Sequence, residues 1–246
     1  MIDRNNDRSN VAWDIETTGF GWNDEITVAG FWFPDTHATL LLNTNQPSPH
    51  SDRLEAAFDT RPSELSVTVH ACQSEADLLE EMQAVMFEEF DTNYSRLVAF
   101  NADSWKGGFD LPFIRTRCFR HDQQWVFDKV QFADLWEPVK KRLNTTHTAH
   151  DTSTSVNSLT GAHNLLFSQL NPTVLDTGMD SGTDHTWYAD NPYDPFDDSR
   201  RAVSSYESGE FLPVLKHNLA DIHRTWEIGE LARAYVSSKD ITTKKL

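Results

Sequence analysis

Two acids one position apart, Asp14 and Glu16, stand in the segment Asp14-Ile15-Glu16-Thr17-Thr18-Gly19, directly after the apolar run Val11-Ala12-Trp13. At the end of a strand, residues i and i+2 point to the same side of a sheet, so the two carboxylates face one direction. Oxygen ligands paired in this way can share one or two divalent cations. Without a cation, burying like charges together is costly and raises their pKa values. A third acid, Asp110, lies in Gly107-Gly108-Phe109-Asp110-Leu111-Pro112-Phe113-Ile114, with Asn101 upstream. It begins a helix after a strand and a glycine turn. Either it caps that helix or it joins the other acids at the sheet edge, the glycines letting a backbone or ligand come close. A fourth, Asp221, follows His217 by four residues in Lys216-His217-Asn218-Leu219-Ala220-Asp221-Ile222. On a helix that spacing puts both side chains on one face, while Leu215, Leu219, Ile222 and Trp226 gather on another. The apolar face is expected to pack on the sheet, leaving His217 and Asp221 pointing away from it. By itself the pair reads as a solvated polar face; in the company of Asp14, Glu16 and Asp110 it reads as the remainder of a metal site.

These residues need a scaffold, and the hydrophobic pattern supplies one. Val11 to Ile15, Glu25 to Phe33 and Thr39 to Leu42 read as three strands of an antiparallel meander. Asn43 to Pro62 is a polar surface excursion, and Ser66 to Ala71 a short strand or a loop. Ser74 caps a helix whose Leu78, Met82, Val85, Met86 and Phe90 form one stripe. Arg96 to Phe100 is a buried strand, Asp110 to Phe119 a helix, Trp125 to Phe132 a strand and Leu135 to Leu143 a helix. A Thr/His/Ser-rich loop over 144–154 precedes a helix from Ser155 to Phe167. Asn171 to Asp198 is a long irregular insertion, and helices over Ser199 to Ser208 and Phe211 to Val236 follow. No repeat or linker divides the chain, so residues 1–246 are read as a single domain with a mixed α/β sheet, carrying a loop insertion around 171–198.

The net charge of −17 over 246 residues, with its acids spread along the chain, suggests a high-salt cytoplasm, where self-repulsion is screened to about 3 Å at 1 M salt. An ordinary acidic protein is the alternative. Cys72 and Cys118 form no CxxC and are expected to be reduced. The polar N-terminus is not a signal peptide, and no run approaches the ~20 apolar residues of a membrane span, so a cytoplasmic protein with no membrane partner is expected. Basic groups at Arg115, Arg117 and Arg120, at Lys140-Lys141-Arg142 and at Arg200-Arg201 are solvated faces or phosphate contacts. Trp22, Trp105, Trp187 and Tyr188 either pack or stack on bases. His147, His150 and His163 lack the Cys partners of a zinc site.

Taken together, the Asp14-to-Gly19 segment, Asn101 with Phe109-Asp110-Leu111-Pro112-Phe113-Ile114, and His217 with Asp221 resemble the three motifs of the DEDD 3′–5′ exonucleases, in order and from about residue 10 to 236. The similarity is greatest to stand-alone ribonuclease H-like exonuclease domains and to the proofreading domains of family-B DNA polymerases. The resemblance implies a ribonuclease H-like mixed sheet of five strands, three antiparallel then parallel, flanked by helices. It implies two Mg²⁺ or Mn²⁺ ions held by Asp14, Glu16, Asp110 and Asp221, with Asp14 bridging and His217 as general base. Thr17, Thr18, Asn101 and Phe109 would contact the terminal nucleotide, and the product would be a nucleoside 5′-monophosphate. The implied partners are single-stranded nucleic acid or the 3′ ends of DNA or RNA. Having no polymerase or helicase segment, the chain would need a replication or repair protein for a proofreading role. The sequence departs from the pattern twice. Seven residues separate Asn101 from Phe109, a longer gap than usual, and the histidine stands four residues before the last acid, where the family places a tyrosine. A catalytically weakened domain that binds nucleic acid or a protein is the alternative.

Overall fold

The computed structural model describes residues 8–34, 37–46, 51–58, 65–103, 108–149, 152–167, 194–196 and 198–246. β1 (Ser9–Thr17) runs through the middle of a seven-stranded mixed sheet. On one side it pairs antiparallel with β2 (Ile26–Phe33), which pairs antiparallel with β3 (His37–Asn43), giving the expected meander. On the other side β5 (Ser95–Ala99) and then β6 (Gln131–Asp134) run parallel to it. β4 (Ser66–Cys72) lies parallel to β3 at one edge, and β9 (Thr243–Lys245) lies antiparallel to β6 at the other. The spatial order is β4-β3-β2-β1-β5-β6-β9.

The sheet therefore has seven strands rather than five. The reading of Ser66 to Ala71 as strand or loop resolves to strand, with Val67 and Val69 buried toward the helices. β9 was not anticipated, because Thr243-Lys244-Lys245 has no apolar alternation; its lysines suit an exposed sheet edge, where charge discourages pairing with another chain. β6 is shorter than Trp125 to Phe132, since residues 126–129 form a turn and Val126, Phe127 and Val130 are buried around it. The excursion after β3 holds a short helix α1 (Ser51–Ala56), and the loop over 144–154 holds a hairpin of β7 (Thr146–Ala149) and β8 (Thr152–Ser155).

Both faces of the sheet are covered, so its strands read as near-continuous apolar runs. α2 (Glu75–Glu88) and α3 (Asp110–Arg120) pack on Val11, Trp13, Ile15, Ala29 and Phe31. α7 (Phe211–Tyr235) covers the opposite face, over Ala12, Val28, Trp32 and Val98, and α4 (Trp136–Arg142), α5 (Leu159–Phe167) and α6 (Ser199–Glu207) support it. α7 has 25 residues, about 37 Å of helix, and Pro213 sits in its first turn, where a missing N–H breaks no helical bond. Leu215, Leu219, Ile222 and Trp226 join the core as expected. Among the described residues, no helix is long and apolar enough to cross a membrane. Both cysteines are buried free thiols.

Candidate active site

Strand alternation decides where the first two acids go. Trp13 and Ile15 face α2 and α3, so Asp14 and Glu16 share the α7 face with Ala12. Parallel pairing with β5 ends at Ala12, opposite Val98, while β1 continues to Thr17 against β2. The two carboxylates therefore stand past the carboxyl end of β5, where open α/β sheets form their crevices. Asp110 is the first residue of α3, not its cap; Phe109 takes the cap position without a side-chain hydrogen bond. The Leu111 N–H donates to the Ala102 carbonyl at 3.1 Å, fixing the start of α3 beside the end of β5. Asp221 comes from the middle of α7.

The four acids feel one another strongly. Burial, followed by the charges of Glu16, Asp110 and Asp221, pushes the Asp14 carboxyl well above the carboxylate range. Burial lifts Glu16 to about 7 against the opposing pull of His217. Burial, Glu16 and Asp134 lift Asp110 to about 8. Two basic groups, Arg224 and His217, stand on the Asp221 side of the cluster. Arg224 Nη1 donates at 2.6 Å to Asp221 Oδ1 and at 2.6 Å to Asp194 Oδ2, so its charge is divided between two acids. Asn218 Nδ2 donates to Asp14 Oδ2 at 3.2 Å. Hard oxygen donors gathered in this way are of the kind that can hold a divalent cation.

Asn218 can reach Asp14 because β2 is bare beneath it. Gly30 is the β2 partner of Asp14, and a Cβ at that position would overlap Asn218 Oδ1. Glycine inside a strand here marks the close approach of another element.

His217 does not point away from the sheet. It is 6% exposed and turned toward β1, because α7 is buried nearly all round and its polar face is as covered as its apolar one. Its Nδ1 lies 2.8 Å from Asp194 Oδ1, and its Nε2 lies 4.0 Å from Glu16 Oε1 and 3.9 Å from Asp221 Oδ2. Phe196 packs edge-to-face on the ring at 5.6 Å. Burial works against a charged imidazole, but the hydrogen bond that His217 donates to Asp194 and the charges of Glu16 and Asp221 outweigh it and raise His217 to about 10. One ligand atom from each of Glu16, His217 and Asp221 lies within 4.8 Å of the others.

A cleft of about 350 Å³ opens beside the acids, lined by Glu16, Thr17, Thr18, Phe20, Phe109 and Arg200 among others. Thr17 Oγ1 donates to the Gly19 carbonyl, and Thr18 Oγ1 accepts from the Glu25 N–H. These hydroxyls shape the turn. Phe20, 83% exposed, meets Phe109 edge-to-face at 4.9 Å on the rim. Asn101 sits at φ 64° with its N–H donating to Asp134 Oδ1 at 2.9 Å; among the described residues, no hydrogen bond joins its side chain to the acids. Arg117 is not free for phosphate, because its guanidinium is buried on Glu75 and holds the Trp22 carbonyl. Arg120 donates to the same carbonyl, Arg115 lies over Trp125, Lys141 pairs with Glu137 and Arg142 with Asp240. Arg200 pairs with Asp198 at the cleft. Trp22 is 64% exposed. His163 pairs with Glu227 inside the core. Trp105, His150, Trp187, Tyr188 and the insertion over 171–193 lie outside the described residues, as does the His147 side chain.

Sequence reasoning missed Asp194, Arg224, Asn218, Gly30 and Asp134. Arg224 had a signal, being one turn beyond Asp221 on the same helix. Asn218 lay inside the quoted motif without a role. Asp194 had none, being one of several Asp residues in an aperiodic stretch. No protein-family model matches the chain, and comparison with curated proteins gives no match.

Proposed function

We propose that the protein is a metal-dependent 3′–5′ exonuclease of ribonuclease H-like fold that shortens single-stranded DNA or RNA ends to nucleoside 5′-monophosphates. The convergence of Asp14, Glu16, Asp110 and Asp221 from three separate stretches of chain, with burial and mutual repulsion raising the carboxyls of Asp14, Glu16 and Asp110, carries this reading. The order β3-β2-β1-β5-β6 supports the fold assignment, since a three-stranded meander followed by two parallel strands is what the resemblance implies; β4 and β9 are then additions at the edges.

The four carboxylates are the groups that would hold two Mg²⁺ or Mn²⁺ ions. Bound there, the ions would supply Lewis-acid stabilisation of the phosphate and an activated water. Asn218 holds the Asp14 carboxylate to one orientation, and Arg224 does the same for Asp221. The turn after β1 places backbone at the cleft floor, and Phe20 with Phe109 presents aromatic surface on which a terminal base can stack. With a net charge of −17, general electrostatic attraction for phosphate is absent, so affinity rests on the metals and on stacking.

The test is digestion of matched DNA and RNA oligonucleotides labelled at the 3′ end, with Mn²⁺ or Mg²⁺ at high salt, reading release of 5′-mononucleotides. Release from neither substrate with either metal refutes the activity. Saturable binding without release would instead favour a weakened binding domain of the same fold.

A further inference from the structure

We propose that His217 is a metal ligand: its Nε2, with one carboxylate oxygen each from Glu16 and Asp221, forms an N,O,O site that takes Mn²⁺ in preference to Mg²⁺. The inference rests on the reading that Glu16 and Asp221 hold metal, but not on nuclease activity.

The first argument is distance. Nε2 lies 4.0 Å from Glu16 Oε1 and 3.9 Å from Asp221 Oδ2. Donor atoms around one ion at ~2.1 Å stand roughly 3–4 Å apart, so closing this triangle on an ion takes side-chain movements of under about 1 Å. An ion seated between the two oxygens and the ring comes within roughly 2–3.5 Å of Nε2. A water hydrogen-bonded to the ring and bound to that ion would set ring nitrogen and metal roughly 4–4.5 Å apart, because the angle at the water is bent. The shorter separation available between the two oxygens and the ring suits direct coordination.

The second argument is orientation. His217 is more than nine-tenths buried, and among the described residues its Nε2 makes no hydrogen bond, although it points into the acids. Its Nδ1 is tied to Asp194 Oδ1 at 2.8 Å, which leaves Nε2 directed at Glu16 and Asp221, where a bound cation would displace its proton to solvent. A carboxylate on the far nitrogen is the usual support of a metal-bound histidine, fixing tautomer and ring angle. Asp194 is itself locked. Its Oδ1 also accepts from the Phe196 N–H at 3.1 Å, and its Oδ2 accepts from Arg224 at 2.6 Å. Phe196, two residues on, holds the ring from the side. Imidazole suits the later transition metals best, and a site of one imidazole with two carboxylates is tolerated by Mn²⁺ more readily than by Mg²⁺, which demands near-ideal octahedral geometry and keeps several waters.

The experiment uses the full chain, stripped of metal and loaded with one equivalent of Mn²⁺. Pulsed electron paramagnetic resonance reads ¹⁴N coupling to the ion, and calorimetry reads affinity. The expected result is clear ¹⁴N modulation in the wild type, lost in both His217→Phe and His217→Gln. Mn²⁺ affinity should fall tenfold or more in these variants while Mg²⁺ affinity changes less than threefold. Asp194→Ala, which removes the support, should lower Mn²⁺ affinity by roughly 10–100-fold. Mn²⁺ bound by wild type without ¹⁴N modulation overturns the proposal even if every variant fails to fold, and modulation that survives in His217→Gln overturns it too. A ¹⁴N-coupled ion in a protein that cuts nothing leaves this site standing and removes the nuclease reading. Metal-dependent cutting with an oxygen-only Mn²⁺ sphere does the reverse.

Discussion

Removing metal should make the fold sensitive to pH in an unusual direction. Glu16 titrates at about 7 in the folded protein, against an ordinary value near 4.3 when unfolded. A carboxyl whose folded pKa is raised binds its proton more tightly in the native state. The stability it contributes is complete below the unfolded pKa and is lost as pH rises through the folded one. For Glu16 that window runs from about 4.5 to about 7, and at 1.36 kcal/mol per pKa unit it is worth on the order of 3 kcal/mol. Asp110, raised to about 8, extends the loss upward in pH. The two act on each other, so their effects do not simply add. His217, raised to about 10, works in the same direction from pH 6.5 upward. Asp194, whose carboxyl is lowered by His217 and Arg224 despite its burial, titrates only in more acid solution.

For a chain of this length about 1 kcal/mol moves Tm by roughly 2–4 °C, so the metal-free protein should melt on the order of 10 °C lower at pH 8 than at pH 5. The assay is thermal unfolding by circular dichroism in EDTA at fixed high salt, which screens surface charge more than the buried cluster. Saturating Mn²⁺ should recover the loss at pH 8 and do little at pH 5, where protons already neutralise the site. Glu16→Gln should flatten the metal-free profile. A Tm that is level or rises between pH 5 and 8 without metal, or a Mn²⁺ effect of equal size at both, would refute the account of the cluster.

Asp14→Ala and Asp221→Ala should each abolish mononucleotide release while the circular dichroism spectrum is retained; full activity in either removes the four-carboxylate assignment. Gly30→Ala should push Asn218 off Asp14, costing roughly 1–3 kcal/mol by overpacking and weakening Mn²⁺ binding in the same variant; unchanged affinity would show that Asn218 does not position Asp14. Arg224→Ala leaves Asp194 and Asp221 without their shared cation and should destabilise by about 3–5 kcal/mol, measured by urea denaturation; a loss under 1 kcal/mol contradicts it. Phe20→Ala, at an 83% exposed position, should leave Tm within about 2 °C and raise KM for oligonucleotides, and an unchanged KM removes Phe20 from the cleft's binding surface.

The meander and the helices were legible because their apolar residues repeat at the period of the element they form, as Leu78, Met82, Val85 and Met86 do on α2. The four acids were legible by type and order. The direction of His217 was not. Amphipathicity assigns a helix one buried face, and α7 is packed on several sides, so the polar stripe carrying His217 and Asp221 is interior. Asp194 was hidden because its place is set by contacts with His217 and Arg224, far along the chain, rather than by any local repeat. β9 was hidden because three polar residues at a sheet edge are chosen by what they avoid.

The hydrogen bond from Asn218 to Asp14 spans 204 residues, and Asp221 lies further along still. A ribosome adding roughly 5–20 residues per second finishes α7 some 10–40 s after β1 has been made. Through that interval the growing chain exposes the acids of β1 with nothing opposite them. The four acids come together only when the last long helix docks, so the site is among the last features of the chain to be assembled.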